Sequence, residues 1–324
     1  MRPRRVAIGA IAALTLLAVA LLYLLFPSAD YTGDGTLFAD LVRHAGVDGS
    51  TEFHRLFLHP HHLAYGPLGA MFQRALGSPP DGVRNVEILR LVHLSSLLAT
   101  TALLVFLIAV WRATGDTAAA VLGTLLLAFS GAFWAYAVNV EVQPLVLLSL
   151  CLFLLALVNA PSTSNAGWLG LSVGFAILCH GLQVLLVVPA VVHLWPLEGR
   201  RRLHALALFA SVGAAAAGIP YLLALPWTAG GSPAGAVAWL RPRYGMGYAS
   251  GPVEGLSRAL AGLWDVFIGP PHPVAGRASA FGAALRLLVP GLVIGAVLLA
   301  RGQRATEAGR RLARGALWTL AAYL

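Results

Sequence analysis

Apolar residues run along this chain in long blocks with short polar interruptions, and the block lengths set the first expectations. The run 6–26 carries no charge. At 1.5 Å per residue it is long enough to cross a hydrocarbon core of ~30 Å. Comparable runs recur at about 86–111, 117–137, 144–159, 204–227 and 283–300, and another begins at 315–324, where the sequence stops. The run from Trp168 to Trp195 is interrupted at Cys179-His180-Gly181. Taken as one helix, it would put Arg200, Arg201 and Arg202 on the side opposite the other arginine-rich loops. Taken as a hairpin with arms at 167–179 and 182–196, it keeps that triplet with them, as positive-inside topology requires. The pattern therefore predicts a single all-α, polytopic transmembrane domain over 1–324, with about eight to nine spans including this short hairpin.

The first block follows Met-Arg-Pro-Arg-Arg, as a signal peptide would. Its core is too long for one and ends in Phe26-Pro27 with no small-residue cleavage site, which predicts a retained helix with a cytoplasmic N-terminus. The segment from Asp30 to Pro67 then lies outside. It is the first long polar stretch and holds five of the ten histidines. Within it, 36–44 and 63–76 have apolar residues at helical spacing, so the large first external loop is expected to contain interfacial helices. A second external region is expected between about 228 and 281.

Composition agrees with this class. Hydrophobic residues make up 58% of the chain and charged ones 11%, and the mean hydropathy is +0.78; a soluble domain could not bury that much apolar surface. The net charge of +9 comes from arginine alone, with no lysine, a codon-usage mark of a GC-rich bacterial genome. The arginines cluster in the short segments expected to face the cytoplasm, at 2–5, 200–202 and 301–314, so topology explains the charge and it calls for no nucleic acid. Cys151 and Cys179 both lie in apolar runs and read as small buried side chains.

Chemistry-bearing residues gather on the external side. Asp34, in Gly33-Asp34-Gly35, has two readings: a general base at the membrane surface, or an aspartate in an ordinary turn. His59-Pro60-His61-His62 resembles a metal motif but lacks distal ligands at standard spacing; hydrogen bonding or charge-assisted contact with a phosphate or sugar fits better. Glu141 follows the third span and is either functional or a helix-end carboxylate in the headgroup layer. Arg241 and Arg243, before Tyr244-Gly245, suit bidentate phosphate recognition or snorkelling to lipid headgroups.

The order of these segments resembles the GT-C superfamily of membrane glycosyltransferases, closest to the bacterial protein O-mannosyltransferase-like family. The likeness lies in Asp34-Gly35 after the first helix, His59-Pro60 with Tyr65-Gly66-Pro67 in the same loop, and Phe133-Trp134 with Tyr136 ending in Glu141. It continues through Gly174 to His180 and Pro189, and ends at Arg241-Pro242-Arg243-Tyr244-Gly245. Two features depart from the family pattern: Thr36 stands where a carboxylate is usual, and His61-His62-Leu63-Ala64 interrupts a compact motif.

The resemblance implies a GT-C-like inverting transferase in the bacterial plasma membrane, with its site on the external face. It would move a sugar, such as mannose, from a polyprenyl-phosphate donor to a hydroxyl of a protein, lipid or glycan. Asp34 would be catalytic, and His59, His61, Tyr65, Glu141, His180, Arg241, Arg243 and Tyr244 would bind substrate, with no metal and no cofactor. Two other readings stand beside it. A lipid or sugar transporter or flippase would place charges or broken helices at mid-membrane in paired halves, which the sequence does not display. An inactive relative would fit the altered motifs and the short chain.

Overall fold

The computed structural model of the chain describes residues 2–28, 33–45, 47–77 and 84–240 together with Glu307 and Gly309, with side chains throughout except at 2–9, 11, 33–34 and 84–85. Among the described residues the regular structure is helical and no strand occurs. Twelve α-helices follow in order: α1 (Arg2–Leu25), α2 (Gly33–Arg43), α3 (Thr51–Phe57), α4 (Tyr65–Ala75), α5 (Arg84–Thr114), α6 (Thr117–Ala128), α7 (Gly131–Ala137), α8 (Gln143–Val158), α9 (Thr163–Cys179), α10 (Val187–Leu194), α11 (Gly199–Thr228) and α12 (Pro233–Leu240). A 3-10 helix, Gly181–Leu186, joins α9 to α10.

Among the described residues two helices, Val86–Thr114 within α5 and Gly199–Thr228, are long and apolar enough to cross a membrane, as expected of an integral membrane protein. They differ in setting. In the most apolar stretch of α5, 44% of residues are buried, against 11% in α11. The first is the central post of the bundle, touching α1, α2, α4, α6, α7 and α8; the second is peripheral, with Leu203, Ile219, Leu222 and Leu223 exposed. At 16 and 17 residues, α8 and α9 are about 25 Å long, shorter than the ~30 Å core. The expected span at 283–300 and the start of another at 315–324 lie outside the described residues.

The expected continuous helix at 117–137 is instead two, α6 and α7, meeting at 71°. Capping chemistry and tertiary contacts hold the bend. Ser130 Oγ donates to the Leu127 carbonyl (2.8 Å), and the Tyr23 hydroxyl, from α1, donates to the Ala128 carbonyl (2.7 Å). The carbonyls freed by the break are thus satisfied. Trp134 packs edge-on against Tyr23, with ring centroids 5.2 Å apart.

The chain reverses at His180. Near the start of α9, Asn165 Nδ2 lies 3.3 Å from Nε2 of His193 near the end of α10, so the two helices run antiparallel. Leu169, Leu186, Leu194 and Phe209 close a shared core between α8, α9, α10 and α11. The tightest pairing in the bundle is α9 on α11, where Gly170 and Gly174 face Phe209, Gly213 and Ala216. Small residues let two backbones approach where apolar side chains gain nothing by leaving lipid.

This connectivity gives the bundle two ends. At one lie Arg112, Asn159, the first turn of α9 and Arg200, Arg201 and Arg202 at the start of α11; at the other lie the polar loop with α2, α3 and α4, the His180 break and the end of α11. The helices expected at 36–44 and 63–76 appear as α2 and α4, and α3 is an additional short helix, N-capped by Ser50 Oγ accepting from Phe53 N (3.1 Å). They are tied to the first turns of α5 by the Arg43–Glu87 ion pair (3.5 Å), the bond from Gln73 Nε2 to the Glu87 carbonyl (2.8 Å) and that from Arg90 Nη1 to the Gly77 carbonyl (2.7 Å).

Candidate functional site

After α3 the chain runs through Leu58 to Ala64 with no regular helix, and Pro60 keeps it from continuing one. This loop is laced to the rest of the bundle from several sides. Trp239 Nε1 of α12 donates to the Leu58 carbonyl (3.1 Å), and the Tyr221 hydroxyl of α11 donates to the Pro60 carbonyl. Two glycines with positive φ, Gly230 (57°) and Gly231 (73°), make the turn that folds α12 back over the loop. Arg55 Nε, just upstream, donates to the Thr228 carbonyl (2.8 Å).

The closest lacing is to the end of α9. The last carbonyls of a helix have no partner within it. Here Ala64 N donates to the Leu178 carbonyl (3.0 Å) and His62 Nδ1 faces the Cys179 carbonyl (3.4 Å), while Gly181 N donates in return to the His61 carbonyl (3.2 Å). A Cβ at Gly181 would come within 3.3 Å of His61 Nδ1, so a glycine keeps the two segments close. His180, in extended backbone, accepts from Leu182 N through Nδ1 (3.2 Å) and so caps the 3-10 helix.

These contacts bring four imidazoles together. Ring centroids are 4.9 Å apart for His62 and His180, 5.4 Å for His59 and His61, 5.8 Å for His59 and His62, and 6.3 Å for His61 and His180. The backbone partners fix the tautomers of the neutral rings. A carbonyl only accepts, so the hydrogen of His62 is on Nδ1 and its Nε2 presents a lone pair. A backbone N–H only donates, so Nδ1 is the acceptor in His180 and in His59, which takes the bond from His61 N (3.3 Å), and each carries its hydrogen on Nε2. Burial pushes His62 down to about 4, with the His180 charge adding to the effect. Burial lowers His59 as well, and His61 adds to it. Burial lowers His180 too, so at neutral pH His59, His62 and His180 are uncharged and offer both donors and an acceptor, a set suited to hydroxyl oxygens. The alternating tautomers do not offer three Nε2 lone pairs to one metal ion, and among the described residues no group of three or more His, Cys, Asp or Glu has metal-binding geometry.

Beside the histidines lies a second layer built on Tyr65. Its ring is fully buried and packs edge-on against Phe38 of α2 (4.9 Å), which in turn faces His62 (6.5 Å). The Tyr65 hydroxyl makes no hydrogen bond of ordinary geometry. Ser95 of α5 is the hydroxyl nearest in influence; its Oγ accepts from Glu141 N at 3.5 Å. Burial raises the Tyr65 hydroxyl far above the usual phenol range, so it stays protonated, and the Glu141 carboxylate adds to that effect. The Ser95 hydroxyl is thus the one hydrogen-bonding oxygen of the described residues shown to act on this buried phenol, at less than ordinary hydrogen-bond geometry.

Of the residues predicted from sequence, His59, His61, Tyr65, Glu141 and His180 thus fall on one end of the bundle, in two adjoining layers. Asp34 is in the first turn of α2, four residues before Phe38. Arg241, Arg243 and Tyr244 lie outside the described residues. His62, Ser95 and Tyr221 complete the arrangement without having been singled out in the sequence. His62 was within the histidine motif, and Tyr221 follows Pro220 inside an apolar run, where a proline-tyrosine pair is itself a signal. No protein-family model matches this chain, and no curated protein and no solved structure matches it either.

Proposed function

We propose that this chain is a polytopic membrane glycosyltransferase of the GT-C type. It transfers a sugar, a hexose such as mannose, from a polyprenyl-phosphate donor to an acceptor hydroxyl at the external face of a bacterial plasma membrane. The observation that carries the reading is the lacing of the His59–Ala64 loop onto the α9 break. It assembles a histidine cluster, three of whose rings burial keeps neutral, and a buried Tyr65 hydroxyl at the end of the bundle where α2 carries Asp34 in its first turn. Neutral donors and acceptors at close spacing match a polyol. The opposite end carries Arg112, Arg200, Arg201 and Arg202, which supports placing the histidine end outside.

In this reading the acceptor oxygen forms a bond to the anomeric carbon as the bond to the lipid-phosphate oxygen breaks. The leaving phosphate takes the electron pair, and Asp34 takes the hydroxyl proton. Arg241 and Arg243 hold the phosphate as its charge grows. The histidines and Tyr65 orient the sugar, and Glu141 lines the site beneath them. Asp34→Asn in membranes supplied with polyprenyl-phosphate mannose is expected to lower transfer by about 10²-fold or more. Full transfer by that variant removes Asp34 from the mechanism.

One observation speaks to the transporter reading, the break between α6 and α7. Broken helices in transporters leave carbonyls and helix ends facing a substrate or ion. Here Ser130 and Tyr23 already occupy the carbonyls at the break, which favours a structural bend. Counterflow of labelled lipid-linked sugar in vesicles, with no transfer to any acceptor, would favour the transporter instead.

A further inference from the structure

We propose that a cleft at the arginine end of the bundle holds an acyl chain of an anionic phospholipid, with its phosphate on Arg112. The proposal goes beyond sugar transfer and does not depend on it. The cleft, about 570 Å³, lies between the last turns of α5 and α8 and the middle of α9. Its walls are Leu155, Leu171, Phe175 and Trp168, and Arg112 and Asn159 stand at its mouth. Trp168 and Leu171 are 67% and 44% exposed, so the trough is open along one side.

Charge decides the occupant. Arg112 is exposed and has no hydrogen-bond or ion-pair partner among the described residues, and the nearest acidic side chain in sequence, Asp116, is occupied in capping α6 through Ala118 N (2.8 Å) and Ala119 N (3.2 Å). A guanidinium at the head of an apolar trough matches a ligand with an anionic head and a hydrocarbon tail. Length sets the direction of entry. From Trp168 to Phe175, and from Leu152 to Asn159, is about 10 Å along each helix, roughly a third of a ~30 Å hydrocarbon core. The cleft therefore takes the upper part of a chain whose headgroup sits in the leaflet on the arginine side. The headgroup thus sits at the end opposite the histidines, while the inner wall at Phe175 packs against the cluster that holds Tyr65 and Cys179; entering from that leaflet, the bound lipid is a structural or modulating ligand and not the sugar donor.

The test uses the full chain, purified in detergent and exchanged into equal amounts of phosphatidylglycerol and phosphatidylcholine with identical acyl chains. Retained lipid is counted by native mass spectrometry. Both headgroups offer a phosphate, but the choline ammonium cancels the charge that Arg112 faces, so the wild type should retain the anionic lipid about fivefold over the zwitterionic one, the scale of about 1 kcal/mol per arginine. Arg112→Gln should bring that ratio near unity, and Leu155→Trp, which fills the trough, should lower retention of both lipids. Arg112 is exposed, so its replacement leaves the packed bundle intact, which an unchanged melting temperature would verify. Equal retention of both lipids by the wild type, or an undiminished preference in Arg112→Gln, would overturn the proposal. Displacement of the lipid by millimolar inorganic phosphate would overturn it too, because a head site alone would not need the trough.

Discussion

Replacing Gly170 by alanine should destabilise the bundle, although the same change in most helix interiors stabilises. Gly→Ala ordinarily gains about 0.5–1 kcal/mol by restricting the unfolded chain and improving helix propensity. Here a Cβ at Gly170 would stand 2.5 Å from the Phe209 carbonyl oxygen and 3.1 Å from Gly213 N, both backbone atoms of α11. Reaching ordinary contact requires α11 to retreat by about 1 Å, and overpacking of this kind costs about 1–3 kcal/mol. The net effect is a loss of about 1–2 kcal/mol and a drop of a few degrees in the melting temperature in detergent. No side-chain change on α11 can relieve it, because the obstruction is main chain.

Gly174 supplies the internal comparison. A Cβ there would meet the Ala216 Cβ at 2.6 Å and the Gly213 carbonyl at 2.7 Å. Gly174→Ala should therefore be partly rescued by Ala216→Gly, whereas Gly170→Ala should not. Labelling of Cys179, buried at the end of α9, gives a second readout of the same interface and should quicken in both single variants. A Gly170→Ala chain that melts at or above the wild-type temperature would refute close backbone packing of α9 on α11.

Tyr221→Phe leaves the Pro60 carbonyl without its donor; about 1–2 kcal/mol of local stability should be lost, seen as faster amide exchange at residues 58–64 with little change in the global melt. Stability should also fall with acid because of His62. Its folded value of about 4 lies below the ordinary 6.5, so the unfolded chain binds the proton first; the contribution is whole above pH 6.5 and declines as pH falls from there towards 4, reaching on the order of 3 kcal/mol. Melting temperatures recorded from pH 7.5 to 4.5 should show this slope, and His62→Gln should flatten it; an unchanged slope would mean that His62 is not buried as a neutral ring.

The hydrophobic pattern is enough to reach the long helices, because an apolar run of more than twenty residues has few alternatives to a helix. It also reaches the reversal at His180, though only with the arginine triplet at 200–202 as a second constraint: hydropathy alone runs straight through Cys179 and Gly181. The bend between α6 and α7 is hidden for the opposite reason. Residues 117–137 are almost uniformly apolar, and what holds the break is a hydroxyl from Tyr23, more than a hundred positions away. The site divides along the same line. Polar residues in an external loop announce themselves by being polar, so the histidine motif and Tyr65 stand out. Their ranking does not, since His61 and His62 are adjacent and only the carbonyl of Cys179 decides which ring is fixed with its Nε2 presented as an acceptor.

The same division bears on what the site can bind. Histidines in an external loop suggest cationic contacts to a phosphate, but burial and mutual proximity remove the charge, and backbone partners then sort the rings into donors and an acceptor. Charge for a phosphate must come from elsewhere, and in the segments expected outside, Arg241 and Arg243 flank one proline as a pair of guanidinium groups. Under the proposed glycosyltransferase reading, sugar recognition falls to the neutral rings and phosphate recognition to arginine, in different segments of the chain. That reading predicts that loss of His180 or Tyr65 changes which sugar is transferred, and that loss of Arg243 weakens every polyprenyl-phosphate donor alike.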